Sequence, residues 1–529
     1  MPLKDRAMSK GEQGYLLLLA AAAIYPAVTL LRWVIGAIPF RYGLDYNEGI
    51  VWQQMNDIVA GHGYAPIEGF PAIVYHYPPV YHLLSALVAA PGIDPLSAGR
   101  IVSLVATIGS ALVIASFVRM WLADDFSRMQ RIAGMAGAIV CYLGCKGVQD
   151  WAPLMRVDPT ACFFALLGLW FLVRAVRSPR LLYAAALFFV LSVFSKQNSV
   201  LTAAAGFGVL AFWRPGLAFR GVVTCILLGS AALAVLIWQT DGEVLRHLIL
   251  YNINRFDIAR FLPNFWFGTS RGDRILLALG AVGLVWTLRR WRALRGQAEV
   301  PAERMIARQA TTLFAILATL SLISTAKYGS SSAYYMQWEA ALAVFGGVAV
   351  ARLLALAERF RASGQKAAAI ACASLPVLAM ITVAALTSRA SIHQIWRFQE
   401  QDDRLAALIA PIHGPIISTE MVLLLRHHQP VLWEPAIFRE LAYAGRWNEQ
   451  ILVDKIRHHE IAAILTDGDH GYRWFDEQFS PAIAGAMDAA LPYRIQVGQR
   501  ILHLPQPPAA TNDVRRTPTP AGPQTSPRA

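Results

Sequence analysis

Long apolar runs joined by short basic links constrain this 529-residue chain more than any other feature of its sequence. Stretches such as 98–121 and 334–355 approach the ~20 residues that an α-helix needs to cross a bilayer. Charged residues make up only 15% of the chain, whereas a soluble domain carries roughly a quarter. These features exclude a disordered chain and a single water-soluble domain. They predict an α-helical polytopic membrane protein.

We expect about eleven transmembrane helices. Their predicted positions are 15–38, 98–121, 131–147, 158–175, 181–195, 197–213, 220–238, 274–290, 308–326, 334–355 and 366–387. Lys196 interrupts the apolar stretch 181–213, and its ammonium group would cost roughly 3 kcal/mol at the bilayer centre. We therefore place Lys196 at the boundary between two short helices.

The distribution of Arg and Lys predicts the orientation of the chain. These residues are concentrated in the N-terminal segment and in alternate links, which the positive-inside rule places in the cytoplasm. An odd number of spans then puts the C-terminal region outside, together with 39–97 and 239–273. Because the cations lie in links between spans, the net charge of +13 sets topology and does not indicate nucleic-acid binding. The five cysteines lie in or beside apolar segments and predict no disulfide framework.

Composition divides the chain into three parts. Residues 1–388 are predicted to form the transmembrane module, and its outer loop 39–97 carries two short helices, 50–60 and 80–90, that lie on the membrane. A small extracytoplasmic α/β domain is predicted for 389–505, and 506–529 is predicted to be a disordered tail. The elements expected in the α/β domain are strands at Pro415–Ser418, Pro430–Trp433 and Ile461–Thr466 and a helical stretch at 435–459.

Acidic residues follow the first predicted span, where the head group of a membrane-embedded substrate would meet water. Asp45 and Glu48 are three residues apart and share one face if this segment is helical. A carboxylate held at this position can act as a general base. The alternative is structural, because negative charge also stabilises a helix N-terminus.

Several short motifs of this loop and of later segments occur in a fixed order. They are Asp45, Glu48-Gly49, Gly61, Gly63, Pro78-Pro79-Val80-Tyr81, Arg156-Val157-Asp158-Pro159 and Tyr334-Tyr335. In this order they resemble the GT-C superfamily of membrane glycosyltransferases. The most similar branch holds protein O-mannosyltransferases, the aminoarabinose transferase of lipid A and rhizobial galacturonosyltransferases. The chain departs from this branch at the separated acids, at His76-Tyr77 in place of a Lys before Pro-Pro, and at Tyr334-Tyr335, which lacks the following proline.

The resemblance implies a GT-C fold and an inverting glycosyltransferase of a bacterial inner membrane. The enzyme would move a sugar from a polyprenyl-phosphate-linked donor to a hydroxyl group of a cell-envelope glycan, lipid A or its core, or a protein. Asp45 is the expected base, although the separation of the two acids leaves open which of Asp45 and Glu48 has this role; Glu48 would otherwise orient the acceptor or bind a cation. The substrate-binding candidates are His76, Tyr77, Tyr81, Arg156, Asp158, Lys196, Arg255, Arg260, Arg271, Tyr334 and Tyr335. The resemblance implies no particular cofactor, and whether a divalent cation is needed stays open.

Other interpretations accompany these residues. Arg156 and Asp158 could be a structural ion pair, Lys196 could anchor a helix boundary, and the arginines of 239–273 could contact lipid head groups. A polymerase or ligase that uses polyprenyl-diphosphate substrates is disfavoured by the acids in the first outer loop. A transporter or flippase is disfavoured because the predicted spans are nearly free of charge, apart from Arg32.

Overall fold

The computed structural model describes residues 8–294, 302–386 and 392–507 and divides the chain into two compact units. The first unit consists of Met1–Pro66 and Ile73–Gln399, and the second consists of Ile67–Ala72 and Glu400–Ala529. A short segment of the predicted first outer loop therefore belongs to the C-terminal unit. The predicted disordered tail lies, from residue 508 onward, outside the described residues.

The first unit is helical. Its helices are α1 (Lys10–Ala37), α2 (Tyr46–Val59), α3 (Val80–Ala89), α4 (Pro95–Leu122), α5 (Arg128–Leu143), α6 (Lys146–Trp151), α7 (Val157–Ala175), α8 (Leu181–Val193), α9 (Val200–Trp213), α10 (Pro215–Gln239), α11 (Glu243–Leu245), α12 (Phe261–Gly268), α13 (Arg271–Leu294), α14 (Ala302–Ser321), α15 (Met336–Ala362) and α16 (Lys366–Leu386). A π-helical turn, Arg246–Leu250, follows α11. Helix α17 (Ile392–Ile409) leads into the second unit.

A helix lies at each of the eleven positions predicted to span the membrane. Within the described residues, six segments are long and apolar enough to do so: Lys10–Ala37, Pro95–Leu122, Val157–Ala175, Pro215–Gln239, Ala302–Ala326 and Ser332–Ala362. The predicted multi-pass helical class is confirmed, while the number of spans stays a prediction. The helices expected at 50–60 and 80–90 are α2 and α3, both too short to cross a bilayer.

Small residues let the helices of the first unit approach closely. Helix α15 lies at the centre, and most of its residues are buried. A Cβ atom added at Gly347 of α15 would meet the carbonyl oxygen of Gly134 in α5, and one added at Gly283 of α13 would meet that of Phe345. Apolar side chains gain little by leaving lipid for another helix, so close backbone packing of this kind holds transmembrane helices together.

The second unit contains a four-stranded sheet. Its strands are β1 (Ile416–Ser418), β2 (Ala463–Asp467), β3 (Tyr493–Val497) and β4 (Arg500–Leu504), in the order β1-β2-β4-β3. Strands β1 and β2 are parallel, and the other two pairs are antiparallel. The helices of this unit after α17 are α18 (Met421–Arg426), α19 (Pro435–Tyr443), α20 (Gln450–Arg457), α21 (Arg473–Gln478) and α22 (Pro481–Ala490).

One predicted strand of the second unit is wrong. Residues 430–433 form an extended segment with a single bridge, from Trp433 to Ala72, and the amide of Ala72 donates to the Leu432 carbonyl at 2.8 Å. The extended backbone is thus paired with the short segment Ile67–Ala72 and not with the sheet. The helical stretch 435–459 is two helices, α19 and α20, separated by a loop.

Candidate active site

Asp45 lies at the start of α2, where its side chain caps the helix. Its Oδ1 atom accepts hydrogen bonds from the backbone N and the side-chain Nδ2 of Asn47, both at 3.0 Å. The same oxygen lies 3.3 Å from Nη1 of Arg156. All three contacts end on Oδ1, and the side chain remains 24% exposed. The carboxylate is therefore held in one orientation with its Oδ2 edge left out of these bonds.

Glu48 differs from its predicted position at the water-facing edge, because it is fully buried. Its two carboxylate oxygens accept from Nε and Nη2 of Arg100 at 2.8 and 2.7 Å. They also accept from the backbone amides of Leu44 and Met155, each at 2.8 Å. A carboxylate with this set of partners ties the start of α2 to α4 and to the segment before α7. Although Glu48 is three residues from Asp45, its carboxylate is directed into the protein core.

Four charged side chains of alternating sign form a continuous row, which we call the charge ladder (Asp45, Arg156, Asp158 and Lys196). Arg156 lies between the two acids, with Nη1 3.3 Å from Asp45 and Nη2 3.7 Å from Asp158. Lys196 completes the row through an ion pair with the other oxygen of Asp158. The last three side chains are at most 9% exposed. Buried charges of this kind require partners of opposite sign, and the ladder provides them.

Local backbone structure explains why the ladder forms. Arg156 immediately precedes α7, and Asp158 lies in its first turn. Lys196 lies in the break between α8 and α9, as the sequence predicts. The structural interpretations of these residues agree with the structure: Arg156 and Asp158 form an ion pair, and Lys196 lies at a helix boundary.

Aromatic rings surround the cations of the ladder. The ammonium nitrogen of Lys196 lies 4.8 Å from the ring centre of Tyr334 and 5.8 Å from that of Tyr77. The guanidinium of Arg156 lies 4.5 Å from the ring of Trp151. Burial raises the pKa of Tyr77, so its phenol stays protonated and can donate a hydrogen bond. The ladder and these rings together offer cations, a neutral phenol and one partly exposed carboxylate.

The remaining tyrosine and histidine candidates have other surroundings. Tyr81 is fully buried and donates to the Gly99 carbonyl at 2.8 Å, so it packs α3 against α4. Tyr335 is 1% exposed and packs against Phe265, with ring centres 6.0 Å apart. Neither ring lies over Lys196 as those of Tyr77 and Tyr334 do, but the Tyr81 hydroxyl is linked to the Arg156 carbonyl through the hydroxyl of Ser103. The carbonyl of His76 accepts from Nε2 of Gln197 at 2.7 Å, which fixes the backbone next to Tyr77.

Two of the candidate arginines form a second cationic group. The guanidinium carbons of Arg255 and Arg260 lie 4.2 and 3.8 Å from the ring centre of Tyr328. The backbone amide of Tyr328 donates to the Arg255 carbonyl at 2.9 Å, so the two segments are also paired through their main chains. Arg271, the third candidate, begins α13 and is exposed.

Several residues of the site are missing from the sequence prediction. Arg100 and the Met155 amide donate hydrogen bonds to Glu48, and Gln197 donates to the His76 carbonyl. The rings of Trp151 and Tyr328 contact the guanidinium groups of Arg156 and of Arg255 and Arg260. A signal existed for Arg100, because it is a charged residue inside the predicted span 98–121 and such residues require a buried partner. The expectation that Arg32 is the main charge within the spans is therefore wrong. The contacts of Trp151, Gln197 and Tyr328 join segments far apart in sequence and have no local signal.

The residues of the ladder do not fit a divalent cation. Asp45 and Asp158 already pair with Arg156 and Lys196, and Glu48 pairs with Arg100. In the part of the chain that the structure describes, no group of three or more His, Cys, Asp or Glu side chains is arranged to hold a metal ion. A cation would have to displace an existing ion pair, and we therefore derive no step through a metal.

Comparison with known proteins identifies the fold. No protein-family model and no curated protein sequence matches the chain. Among solved structures, ArnT from Cupriavidus metallidurans bound to undecaprenyl phosphate is 13% identical, with a TM-score of 0.55 over 93% of this chain and 98% of that chain. The apo oligosaccharyltransferase of Archaeoglobus fulgidus is 12% identical, with a TM-score of 0.54 over 86% of this chain and 69% of that chain.

A third structure belongs to the same group. The archaeal oligosaccharyltransferase AglB from Archaeoglobus fulgidus, in complex with an inhibitory peptide and a dolichol-phosphate, has a TM-score of 0.51 at 11% identity. It too is matched over 86% of this chain and 69% of that chain. At these identities the likeness concerns the fold, and function has to be argued from the site. The chain therefore shares its overall fold with these solved structures, in agreement with the fold that the resemblance of its motifs implies.

Proposed function

We propose that this chain is an inverting glycosyltransferase that moves a sugar from a polyprenyl-phosphate-linked donor to a hydroxyl group of a cell-envelope acceptor. The observation that carries this proposal is the charge ladder, which presents one partly exposed carboxylate, Asp45, next to buried cations at the ends of apolar helices. The GT-C fold adds support, because ArnT was solved with undecaprenyl phosphate and AglB with a dolichol-phosphate.

In this mechanism Asp45 is the general base. Its Oδ2 atom accepts the proton of the acceptor hydroxyl while the hydroxyl oxygen attacks the anomeric carbon of the sugar. The bond from that carbon to the phosphate oxygen breaks, and the phosphate leaves with the bonding electron pair. A phosphate monoester is a weakly basic leaving group, so no strong acid is needed, and a placed base contributes roughly 10²–10⁴-fold. One carboxylate without a covalent intermediate gives inversion.

Glu48 is assigned a positioning role in this proposal. Its carboxylate receives four hydrogen bonds from Arg100 and two backbone amides. It has no oxygen left out of these bonds that could take a proton from a substrate. By fixing the residue before Asp45 it holds the start of α2, and with it the base, in place.

The leaving phosphate requires positive charge beyond the ladder. The charges of Asp45 and Asp158 already balance those of Arg156 and Lys196, so the ladder is neutral before a donor binds. In this proposal Arg255 and Arg260, whose guanidinium groups pack on the Tyr328 ring, supply further positive charge. The phenol of Tyr77 supplies a hydrogen-bond donor. Preorganised donors aimed at developing charge are the most effective form of transition-state stabilisation.

The proposal also covers location and acceptor class. We place the protein in a bacterial inner membrane with the N-terminus in the cytoplasm and the C-terminal unit in the periplasm, because the basic links lie on one side. The reaction then takes place at the outer leaflet. The acceptor is a glycan, lipid A or its core, or a protein.

The test is mass spectrometry of envelope glycans and polyprenyl phosphates from cells that carry Asp45→Asn. Asp94→Asn is the matched control, because Asp94 also caps a helix, accepting from the amide of Ser97 at 3.0 Å. Both substitutions keep a capping oxygen, and only the first removes the base. We expect Asp45→Asn to lose one sugar from a product and to accumulate its lipid-linked donor, while Asp94→Asn resembles wild type.

Three results would contradict the proposal. An unchanged glycan profile with stable Asp45→Asn protein would remove Asp45 from the mechanism. Movement of the lipid-linked sugar across vesicles without its transfer would indicate a flippase, and loss of a polyprenyl-diphosphate-linked product would indicate a polymerase or ligase.

A further inference from the structure

His247 joins two backbone segments of the first outer loop through a single imidazole ring. It lies in the π-helical turn Arg246–Leu250 and is fully buried. Its Nδ1 atom accepts from the backbone amide of Tyr75 at 3.1 Å, and its Nε2 atom lies 2.9 Å from the carbonyl oxygen of Ala65. Between these two points the chain enters the second compact unit as Ile67–Ala72 and returns. The imidazole thus links the two residues, Ala65 and Tyr75, that flank this segment of the second unit.

The partners of the ring determine its protonation. A backbone amide can only donate, so Nδ1 carries no proton, and a carbonyl oxygen can only accept, so Nε2 carries one. Burial lowers the pKa of His247 to about 4, which agrees with a neutral imidazole. Three tyrosine rings, those of Tyr64, Tyr75 and Tyr251, pack edge-on against it at 5.2 to 5.8 Å. The ring is consequently held in one tautomer and one orientation.

The residues that His247 links are connected to the charge ladder through Tyr77. The hydroxyl of Tyr64, next to Ala65, donates to the carbonyl of Tyr77 at 2.9 Å. Tyr75, whose amide is held by His247, is two residues before Tyr77, and the intervening His76 carbonyl accepts from Gln197. Three consecutive residues are therefore fixed by side chains from elsewhere in the first unit. The Tyr77 ring lies at the end of this series, 5.8 Å from Lys196.

We infer that His247 is a positioning residue: by linking Ala65 to Tyr75 it holds Tyr77 next to Lys196 for binding of a polyprenyl phosphate. The inference rests on the proposed function, because it assigns Tyr77 to the donor site. His247 itself does not touch the ladder and acts only through Tyr75 and Ala65. Without it the Tyr75 amide loses its acceptor, and only the bonds to the carbonyls of His76 and Tyr77 hold this backbone next to Lys196.

The test combines hydrogen exchange with lipid binding in the full-length protein in nanodiscs. His247→Phe keeps a ring of similar size and removes both ring nitrogens, whereas His247→Asn keeps an acceptor near the position of Nδ1. We expect His247→Phe to speed exchange of the Tyr75 amide by about 2- to 12-fold, the effect of losing one neutral hydrogen bond. Its dissociation constant for undecaprenyl phosphate should rise by a similar factor. His247→Asn should restore most of the Tyr75 protection and of the lipid affinity.

His503→Phe is the matched control for removing a buried histidine. His503 is 1% exposed, bonds to Thr466 at 3.0 Å and lies in the second unit. This variant should leave Tyr75 exchange and lipid affinity at wild-type values. Unchanged Tyr75 exchange in His247→Phe would overturn the inference, as would faster exchange with unchanged lipid affinity, failure of His247→Asn to rescue, or no lipid binding by wild type. Lipid binding by wild type without any sugar transfer would instead contradict the proposed function and leave the positioning role intact.

Discussion

The pair formed by Glu48 and Arg100 gives the sharpest prediction about stability. Both side chains are 0% exposed and are joined by two hydrogen bonds of 2.7 and 2.8 Å. Arg100→Met would leave the Glu48 carboxylate buried with only the amides of Leu44 and Met155. Removing one partner of a buried ion pair costs about 3–5 kcal/mol. The two hydrogen bonds lost between Arg100 and Glu48, at about 1.5–3 kcal/mol each, give a similar value for this pair. Arg100→Met also removes three hydrogen bonds to the carbonyls of Ala37, Phe40 and Tyr42, so its total cost should be at the upper end of this range or above it.

Glu48→Gln should have a cost in the same range, because it leaves Arg100 charged without a counter-ion. The double variant should be less destabilised than the sum of the two single variants by about 2–3 kcal/mol, since it leaves no buried charge unpaired in this pair. Thermal unfolding of the purified protein in detergent measures these differences. Transfer activity per folded molecule is measured in parallel.

The two roles considered for Glu48 give opposite results in these assays. If Glu48 positions α2, Glu48→Gln lowers the unfolding temperature by several degrees and reduces activity per folded molecule by less than about 10-fold. If Glu48 were the base, activity would fall by roughly 10²-fold or more at an unchanged unfolding temperature. The second outcome, or singles and a double that are strictly additive, would refute the reasoning.

Two further predictions concern the ladder and the second unit. Asp158→Asn removes the anion between Arg156 and Lys196 and should misplace both cations. The affinity for undecaprenyl phosphate should therefore fall at least about 10-fold, and Asp158→Glu should retain part of it. An equal loss of affinity in both variants would contradict this. In the second unit Arg500 pairs with Asp402, with Glu420 at 2.5 Å and with Asp467 at 3.8 Å. Burial raises the pKa of Glu420 to about 8 and that of Asp402 to about 6. A folded-state pKa above the unfolded value means that the folded unit holds protons more tightly, so its stability should be highest at acidic pH and fall as the pH rises toward 8. Protection factors of the β2 amides, which divide out the intrinsic pH dependence of hydrogen exchange, should fall across this range, and Glu420→Gln should flatten the fall. Protection factors that rise with pH would contradict the sign.

The sequence predicts most of the helices of the first unit because long apolar segments mark their positions. Lys196 was correctly placed at a helix break, since a lysine at mid-bilayer is costly. The position of Asp45 after the first span singles it out, and the structure places it beside Arg156 with a partly exposed side chain. Glu48 shows the limit of such reasoning: spacing along a helix relates two side chains to each other, and it does not say which of them meets a buried arginine from α4.

Long-range pairing explains the remaining errors. Pro430–Trp433 is extended as expected, but its partner, Ala72, comes from a distant loop that no local pattern connects to it. The β3–β4 hairpin is absent from the sequence prediction although part of it has a local signal. Apolar and polar residues alternate over Tyr493–Val497, and Gly498 after them adopts a positive φ of 64° at the turn. Strand β4 does not alternate, because Ile501 and Leu502 are adjacent. The ladder itself joins three separate segments, and only the resemblance to membrane transferases suggested that they meet.

The most direct measurement is the rate of sugar transfer by purified Asp45→Asn protein, supplied with the lipid-linked donor that accumulates in cells carrying that variant. Wild-type protein should release the sugar to the acceptor with inverted configuration at the anomeric carbon. Asp45→Asn should be slower by about 10²–10⁴-fold while binding undecaprenyl phosphate as wild type does. Transfer by Asp45→Asn at more than about a tenth of the wild-type rate, or a product that retains the configuration of the donor, would contradict the assignment of Asp45 as the base.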